Sequence, residues 1–378
     1  MKYFDYAATC PLDQDAAEAY IQIATDYFGN SSSLHDIGGR SAQLLDNCRK
    51  TLARILGVNE KGLFFTSGGS ESNFLAIEAL LSATKKKGNH IITTIAEHSS
   101  IHGTLKRLEK EGFEITYLPF SKNGIVSLDI LQQSIRSETI LIAIGHTNSE
   151  IGTIQPIEEI AILCKKENIL FHCDFVQGFG KADSSKLFEQ ISSFSFSSHK
   201  FYGPKGTGGV FIQPNINWTS FFPGTTHEFG LRPGTINVPA IAAMTVAAEK
   251  IIKHQSERLV KFSQLRERFI ETLKPICDRI TIHGSSGHEQ SPGIIGLCID
   301  GIEGQWLMLE CNRFGFAIST GSACQSGMQA PSKTMQAIGL TGKKAKEFIR
   351  ISFGNATTLE EVAELGHKIV TITRDFTK

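Results

Sequence analysis

Between Gly62 and Gln177 short apolar runs alternate with helical patterns, and this alternation constrains the fold more than any other feature of the sequence. "GLFFTSGG" (62–69) reads as a strand entering a tight turn. "SESNFLAIEALLSA" (70–83) then places Phe74, Ile77, Leu80 and Leu81 on one helical face. "HIITTIAEH" is strand-like, and "SIHGTLKRLEKEG" is a helix stopped by a glycine. "EITYLPF", "TILIAIGH" and "ILFHCDFVQ" are further apolar strands, with "DILQQSI" and "IEEIAILCKKE" as helices between them. Strand–helix alternation predicts an α/β protein whose mainly parallel sheet is covered on both faces.

From Pro239 to about Lys274 the helical pattern runs on without interruption, longer than a usual globular helix. It predicts a link to a second, smaller α+β unit with shorter strands in "ITIHG", "GIIGLCID", "FAIST" and "FIRISF". The expected division is a large domain over 14–255 and a small one made of 1–13 and 256–378. With 378 residues there is enough chain for two such units.

The charge balance excludes some partners. Lys+Arg and Asp+Glu number 38 each, so there is no electrostatic footprint of a nucleic-acid or membrane binder. The opening "MKYFDYAATCPLD" reaches Asp5 and Pro11 without the apolar core of a secretory signal, which makes the cytoplasm the expected compartment. No two of the eight cysteines have C-x-x-C spacing, so neither a zinc knuckle nor a redox dithiol is indicated and no metal is expected. Cys164, Cys298 and Cys311 sit in apolar contexts and read as buried thiols. Cys324 does not: "STGSACQSG" (319–327) surrounds it with small polar residues, and Gly321 and Gly327 free the backbone beside it. An exposed thiol is placed for reaction, because the thiolate is the nucleophile.

"FSFSSHKFYGPKGTGG" (194–209) puts Lys200 on a glycine- and proline-rich turn after a strand, where it can project into a cleft as an imine-forming amine. Its companions are those of a pyridoxal phosphate site. Asp174 ends the strand "ILFHCD", at the edge of an α/β sheet where ligands bind, and could pair with a pyridine nitrogen. His98 in "AEHSS" could stack on the ring. "TSGGSES" (66–72) is a glycine turn into a helix N-terminus whose N–H groups, with Ser67 and Ser70, could take a phosphate.

Nine segments in order, from "YFDYAATCPLD" through "TSGGSESN", "EHSSIHGT", "NSEIGTIQPI", "HCDFVQGFGK", "SSHKFYGPKGTGG", "LRPGTINVPA" and "STGSACQSG" to "IRISFG", resemble the NifS/IscS-like cysteine desulfurases. These are fold-type-I pyridoxal phosphate enzymes of the class-V aminotransferase family. The resemblance spans about residues 3–360. It implies that Lys200 is joined to the cofactor, Asp174 pairs with the ring nitrogen, Gln177 bonds the phenolic oxygen, and His98 stacks on the ring and shares in catalysis. Gly69, Ser70, Ser197 and His199 would line the phosphate side, with Thr235 lent to a partner chain in a homodimer. Arg350 would grip the substrate carboxylate, and Asn30 and His35 would lie at the substrate entry. There is independent support for Arg350: Ile349, Ile351 and Phe353 alternate on one strand face and leave the guanidinium, suited to a carboxylate, on the other.

Where the family carries two asparagines before an acid, this chain has Asn148-Ser149-Glu150, so the ring contact falls to Ser149 or to Asn148. Ser31 stands where the family has a proline. The implied reaction takes sulfur from L-cysteine onto Cys324 as a persulfide, leaves alanine, and passes the sulfur to iron–sulfur cluster assembly or another protein acceptor. An aminotransferase or a selenocysteine- or kynurenine-type lyase would use the same cofactor without a loop thiol. A non-enzymatic sulfur-carrier scaffold would have no use for Lys200, Asp174 and His98 together.

Overall fold

The computed structural model describes residues 1–181, 188–321 and 332–376. The amino terminus opens with β1 (Lys2–Tyr3), followed by α1 (Gln14–Asp26) and α2 (Asp36–Leu56). Asp13 caps α1 by accepting from the N–H groups of Asp15 and Ala16, and Gly57 ends α2 in the left-handed region, φ 68°.

Seven strands then form the central sheet: β2 (Leu63–Thr66), β3 (His90–Thr94), β4 (Glu114–Leu118), β5 (Thr139–Ala143), β6 (Leu170–Asp174), β7 (Ser193–Ser197) and β8 (Gly208–Ile212). Their spatial order is β2-β8-β7-β6-β5-β3-β4, and β8 alone runs against the others. The helices between them are α3 (Gly69–Ala83), α4 (Ser99–Lys110), α5 (Leu128–Ser134) and α6 (Ile157–Lys166), and α7 (Val238–Lys253) follows the sheet. Alternate residues of β2 and β8 face opposite cores: Leu63, Phe65 and Phe211 join one side, Phe64, Val210 and Ile212 the other. One core is closed by α2, α6 and α7, the other by α3 and α4. The α/β architecture with a mainly parallel sheet read from the alternation is the one observed.

A separate core gathers around a three-stranded antiparallel sheet of β9 (Ile280–His283), β10 (Ile294–Ile299) and, after the short β11 (Phe316–Ala317), β12 (Phe348–Ser352), in the order β12-β10-β9. It is packed by α8 (Gln255–Thr272), α9 (Gly304–Arg313) and, beyond the short α10 (Lys333–Ala337) and α11 (Gly342–Lys346), α12 (Leu359–Phe376). Phe4 lies in this core, and β1 pairs with β11, so the first residues of the chain belong with its last third.

Two local expectations fail. The long helix breaks at His254 (φ −105°, ψ 19°) into α7 and α8 with neither Gly nor Pro at the break. There the buried Arg258 turns back to donate from Nη1 to the carbonyls of Ile251 and Gly180, both at 3.2 Å. Phe74, expected on the buried face of α3, is 40% exposed, with the Arg107 guanidinium 5.7 Å from its ring centroid. The helix buries the expected Ile77 and Leu80 together with Leu75, Ala76 and Ala79. Cys164, Cys298 and Cys311 are buried free thiols, whereas Cys324 lies outside the described residues. Among the described residues no helix is long and apolar enough to cross a membrane.

Candidate active site

A cavity of about 250 Å³ opens at the carboxyl ends of β3, β6 and β7, where loops leave an α/β sheet and ligands bind. Lys200, Asp174, His98, Gln177, Gly69, Ser70, Asn148, Ser149, Ser197, His199 and Arg350 all line it. Lys200 reaches it from a 3₁₀ turn, Ser198–Lys200, directly after β7. The turn continues with Tyr202 at φ 68° and then Gly203, where a Cβ would come within 1.9 Å of Ser198 Oγ, so the tight reversal requires glycine. Lys200 Nζ donates to the carbonyls of Ala7 (2.7 Å) and Ala8 (2.8 Å). Gln177 donates to the same Ala7 carbonyl at 2.7 Å and accepts from Lys181 Nζ at 3.0 Å. The amino-terminal strap therefore forms one wall of the cavity.

Asp174, the last residue of β6, accepts from Val176 N–H at 3.0 Å through Oδ1 and from Asn73 Nδ2 at 2.7 Å through Oδ2. His98 caps α4, its Nδ1 accepting from the Ser100 N–H at 3.2 Å. At the far end α3 begins after Gly68 (φ 145°) with no side-chain cap, which leaves its first N–H groups for a ligand. A Cβ at Gly69 would come within 2.7 Å of Val176 Cγ2, so glycine keeps that cradle open. His199 is held by a 3.0 Å bond from Nδ1 to Thr9 Oγ1, and burial, aided by nearby Lys200, lowers its pKa to about 4. Burial similarly lowers the His98 pKa, and it lowers that of Lys181 to about 8.

Arg350 enters from β12 and is 2% exposed. Its Nη2 lies 2.5 Å from Asp5 Oδ1, and Nη1 donates to Ser149 O at 3.0 Å. Its buried Nε has no hydrogen-bond partner among the described residues, leaving a donor for an incoming carboxylate.

The structure does not bring every expected residue to this cavity. Asn30 and His35 lie outside its lining: Asn30 Oδ1 accepts from Ser32 N–H and His35 Nδ1 caps α2 through Gly38 N–H. Thr235 is exposed and does not line it. Asn148 lines it, yet its Oδ1 accepts from Glu150 and Ile151 N–H while its Nδ2 donates to Thr334 Oγ1.

Of the residues in or beside the cavity that the sequence reading missed, three bear directly on Asp174 or Arg350. Glu97 is buried beside Asp174; burial raises its pKa to about 8, against donors from Thr94 Oγ1 (2.7 Å) and Gly145 N–H (3.0 Å). Asn73 and Asp5 complete the set. The adjacency of Glu97 to His98 was the one sequence signal available; the other two become visible only when the chain closes.

Residues 2–365 of the chain match the Aminotransferase class-V family. The chain belongs to that family, on the branch of the NifS/IscS cysteine desulfurases. It is 44% identical to a putative cysteine desulfurase NifS of Bacillus subtilis, across 97% of this chain and 93% of that one. It is 38% identical to a cysteine desulfurase IscS of Clostridium botulinum, across 95% and 91%. A solved NifS-like protein superposes with a TM-score of 0.90 at 31% identity, covering 99% of both chains. A structure of SspA in complex with cysteine follows at 0.79 and 31%, covering 93% and 99%.

Proposed function

We propose that this chain is a pyridoxal-phosphate-dependent cysteine desulfurase that moves the sulfur of L-cysteine to the thiol of Cys324 and releases L-alanine. The observation that carries the reading is the convergence of Lys200, Asp174 and His98 on one cavity beside the uncapped start of α3, in a chain whose relatives are named cysteine desulfurases. In that exchange the Cβ–S bond of the substrate breaks and an S–S bond forms on Cys324. The two thiols become alanine and one persulfide, with no external oxidant or reductant.

The donor set fits the cofactor. An anion finds the free N–H groups of α3, Ser70 and Ser197 at one end, while a carboxylate, Asp174, stands at the other for a protonated ring nitrogen. Bound there, pyridoxal phosphate supplies an aldehyde for Lys200 and an electron-poor ring that lets the substrate's α-hydrogen leave as a proton. Lys200 Nζ, held at the Ala7 and Ala8 carbonyls, is the base that takes this proton. Gln177, oriented by Lys181, would meet the phenolic oxygen, and His98, in the cavity lining, would stack on the ring. Ser149 would take the remaining ring contact, since the Asn148 amide is engaged in its own turn and with Thr334. Arg350, steadied by Asp5, holds the substrate carboxylate.

The same reading makes the protein a cytoplasmic homodimer in which Thr235 reaches the partner's phosphate site, and a protein acceptor collects the sulfur. Its buried thiols, unpaired among the described residues, suit a reducing compartment. The test is incubation of the yellow protein with L-cysteine, followed by mass spectrometry. Alanine in solution and one additional sulfur on the peptide containing Cys324 are expected. Full turnover of L-cysteine by Cys324→Ser would favour an aminotransferase or lyase instead.

A further inference from the structure

Asn73 has no role in the reading above, yet it is 1% exposed and makes four side-chain hydrogen bonds at the floor of the cavity. We propose that Asn73 is the positioning residue that ties Asp174 and His98 into one hydrogen-bonded chain, so that the group pairing with the ring nitrogen and the group lying over the ring are set together. The proposal rests on the cofactor reading of this site.

The direction of every bond in the chain follows from its ends. An ionised carboxylate only accepts, so the atom 2.7 Å from Asp174 Oδ2 is the Asn73 amide nitrogen. The amide oxygen therefore faces His172 Nε2 at 3.0 Å and the Ser195 hydroxyl, and both must donate to it. His172 then keeps its proton on Nε2 and accepts the Ser193 hydroxyl on Nδ1 at 2.8 Å. Burial lowers the His172 pKa to about 4, so the ring stays neutral and the arrangement does not invert near neutral pH.

The second amide hydrogen of Asn73 goes to Ser100 Oγ at 3.0 Å. That directs the Ser100 proton onward to His98 Nδ1 at 2.8 Å, which also receives the Ser100 N–H. Neutral His98 consequently carries its proton on Nε2, and its ring plane is fixed by two donors on one nitrogen. One side chain on α3 thus holds groups from β6 and from the start of α4, and His172 and Ser195 hold that side chain in turn. An apolar residue could fill the same volume but could not specify either orientation.

The test uses the wild-type holoenzyme with Asn73→Ala, Ser100→Ala and the double variant. The readouts are the dissociation constant for pyridoxal phosphate and the visible circular dichroism of the bound cofactor, which reports its orientation. Asn73→Ala should loosen the cofactor roughly tenfold or more, the scale of a lost hydrogen bond to a charged group, and change the dichroic band. Ser100→Ala, which severs only the His98 arm, should give a smaller change of the same kind. The double variant should be no worse than Asn73→Ala, because both act along one chain. Additive losses, or a Ser100→Ala protein with wild-type affinity and dichroism, would overturn the proposal, and the second result decides it even if Asn73→Ala fails to fold. A wild-type chain that takes up no pyridoxal phosphate overturns the cofactor reading, and this inference with it.

Discussion

The two sheets of the molecule contribute to the cavity in opposite ways. The seven-stranded sheet offers residues at or just beyond the carboxyl ends of its strands: Asp174 closes β6, Lys200 follows β7, and His98 lies past the end of β3. These positions are half-buried or open to the cleft, and loops can carry them without disturbing the layers beneath. The three-stranded sheet offers Arg350 from the middle of β12, between Ile349 and Ile351, which are both fully buried. Chemistry in the larger sheet is therefore separable from folding, whereas in the smaller one the same guanidinium serves both.

The largest expected effect tests the first half of that contrast. Lys200→Ala should reduce turnover of L-cysteine by roughly 10²–10⁴-fold, the range for loss of a positioned acid–base group. Its melting temperature should remain near the wild-type value, because the side chain ends in the cleft on two carbonyls. A large fall in melting temperature would show that the lysine braces the strap at Ala7 and Ala8 as well. Arg350→Met should instead lose both properties. Removing one partner of a buried pair strands Asp5, at a cost of about 3–5 kcal/mol in unfolding free energy, and KM for cysteine should rise. Arg350→Met combined with Asp5→Asn should recover part of the stability but none of the affinity, measured by denaturant titration alongside KM.

The same contrast explains what could be read from the chain beforehand. Strands with both faces covered announce themselves as apolar runs, so β5 and β6 were legible, and a lysine crowded by Gly and Pro stood out on its turn. The break at His254 was not legible, because its cause is Arg258 reaching the Gly180 and Ile251 carbonyls rather than any local breaker. Asn73 was hidden for a similar reason. On α3 it is one of several polar residues in the first turns, with nothing local to set it apart, and its partners lie between 27 and 122 positions away in sequence. Residues that act through others carry no local pattern of their own.

Glu97 gives a smaller effect, and one that depends on pH. Its folded pKa of about 8 lies above the ordinary value of 4.5. Between those values the folded state holds a proton that the unfolded chain has released, so stability falls as pH rises and levels off above 8. Burial of His102, His146, His172 and His199, each lowered to about 4, acts in the opposite sense below pH 6.5, where the unfolded chain takes up the protons. Because the unfolded histidines are still half-protonated at pH 6.5 and Lys181 is lowered to about 8, Glu97 is isolated by the difference between the wild type and Glu97→Gln. The stability of the wild type relative to Glu97→Gln should decline between pH 5 and 8 by about 1.4 kcal/mol per pH unit at most. Glu97→Gln can still accept from Gly145 N–H and can donate to Thr94 Oγ1, so it removes this titration and leaves the others in place. A difference between the two proteins that does not change with pH would assign the titration to another group.

The smallest effect concerns the strap that joins the two regions. Phe4 is buried in the smaller core and Ala16 in the larger, and between them Asp5 meets Arg350 while Asp13 caps α1. Asp13 also donates its N–H to the Tyr202 carbonyl at 2.8 Å, just past the Lys200 turn, and pairs with Lys250 at 2.8 Å. Asp13→Ala should cost about 1 kcal/mol, the usual price of an N-cap, with little added loss from the exposed Lys250 pair. KM for cysteine should not change, because Asp5 is fixed separately by the pairing of β1 with β11 and by its own bridge to Ser352. If KM rises tenfold with so small a loss of stability, tension along the strap, rather than β12, sets where Asp5 holds Arg350. The substrate side would then depend on the larger core after all.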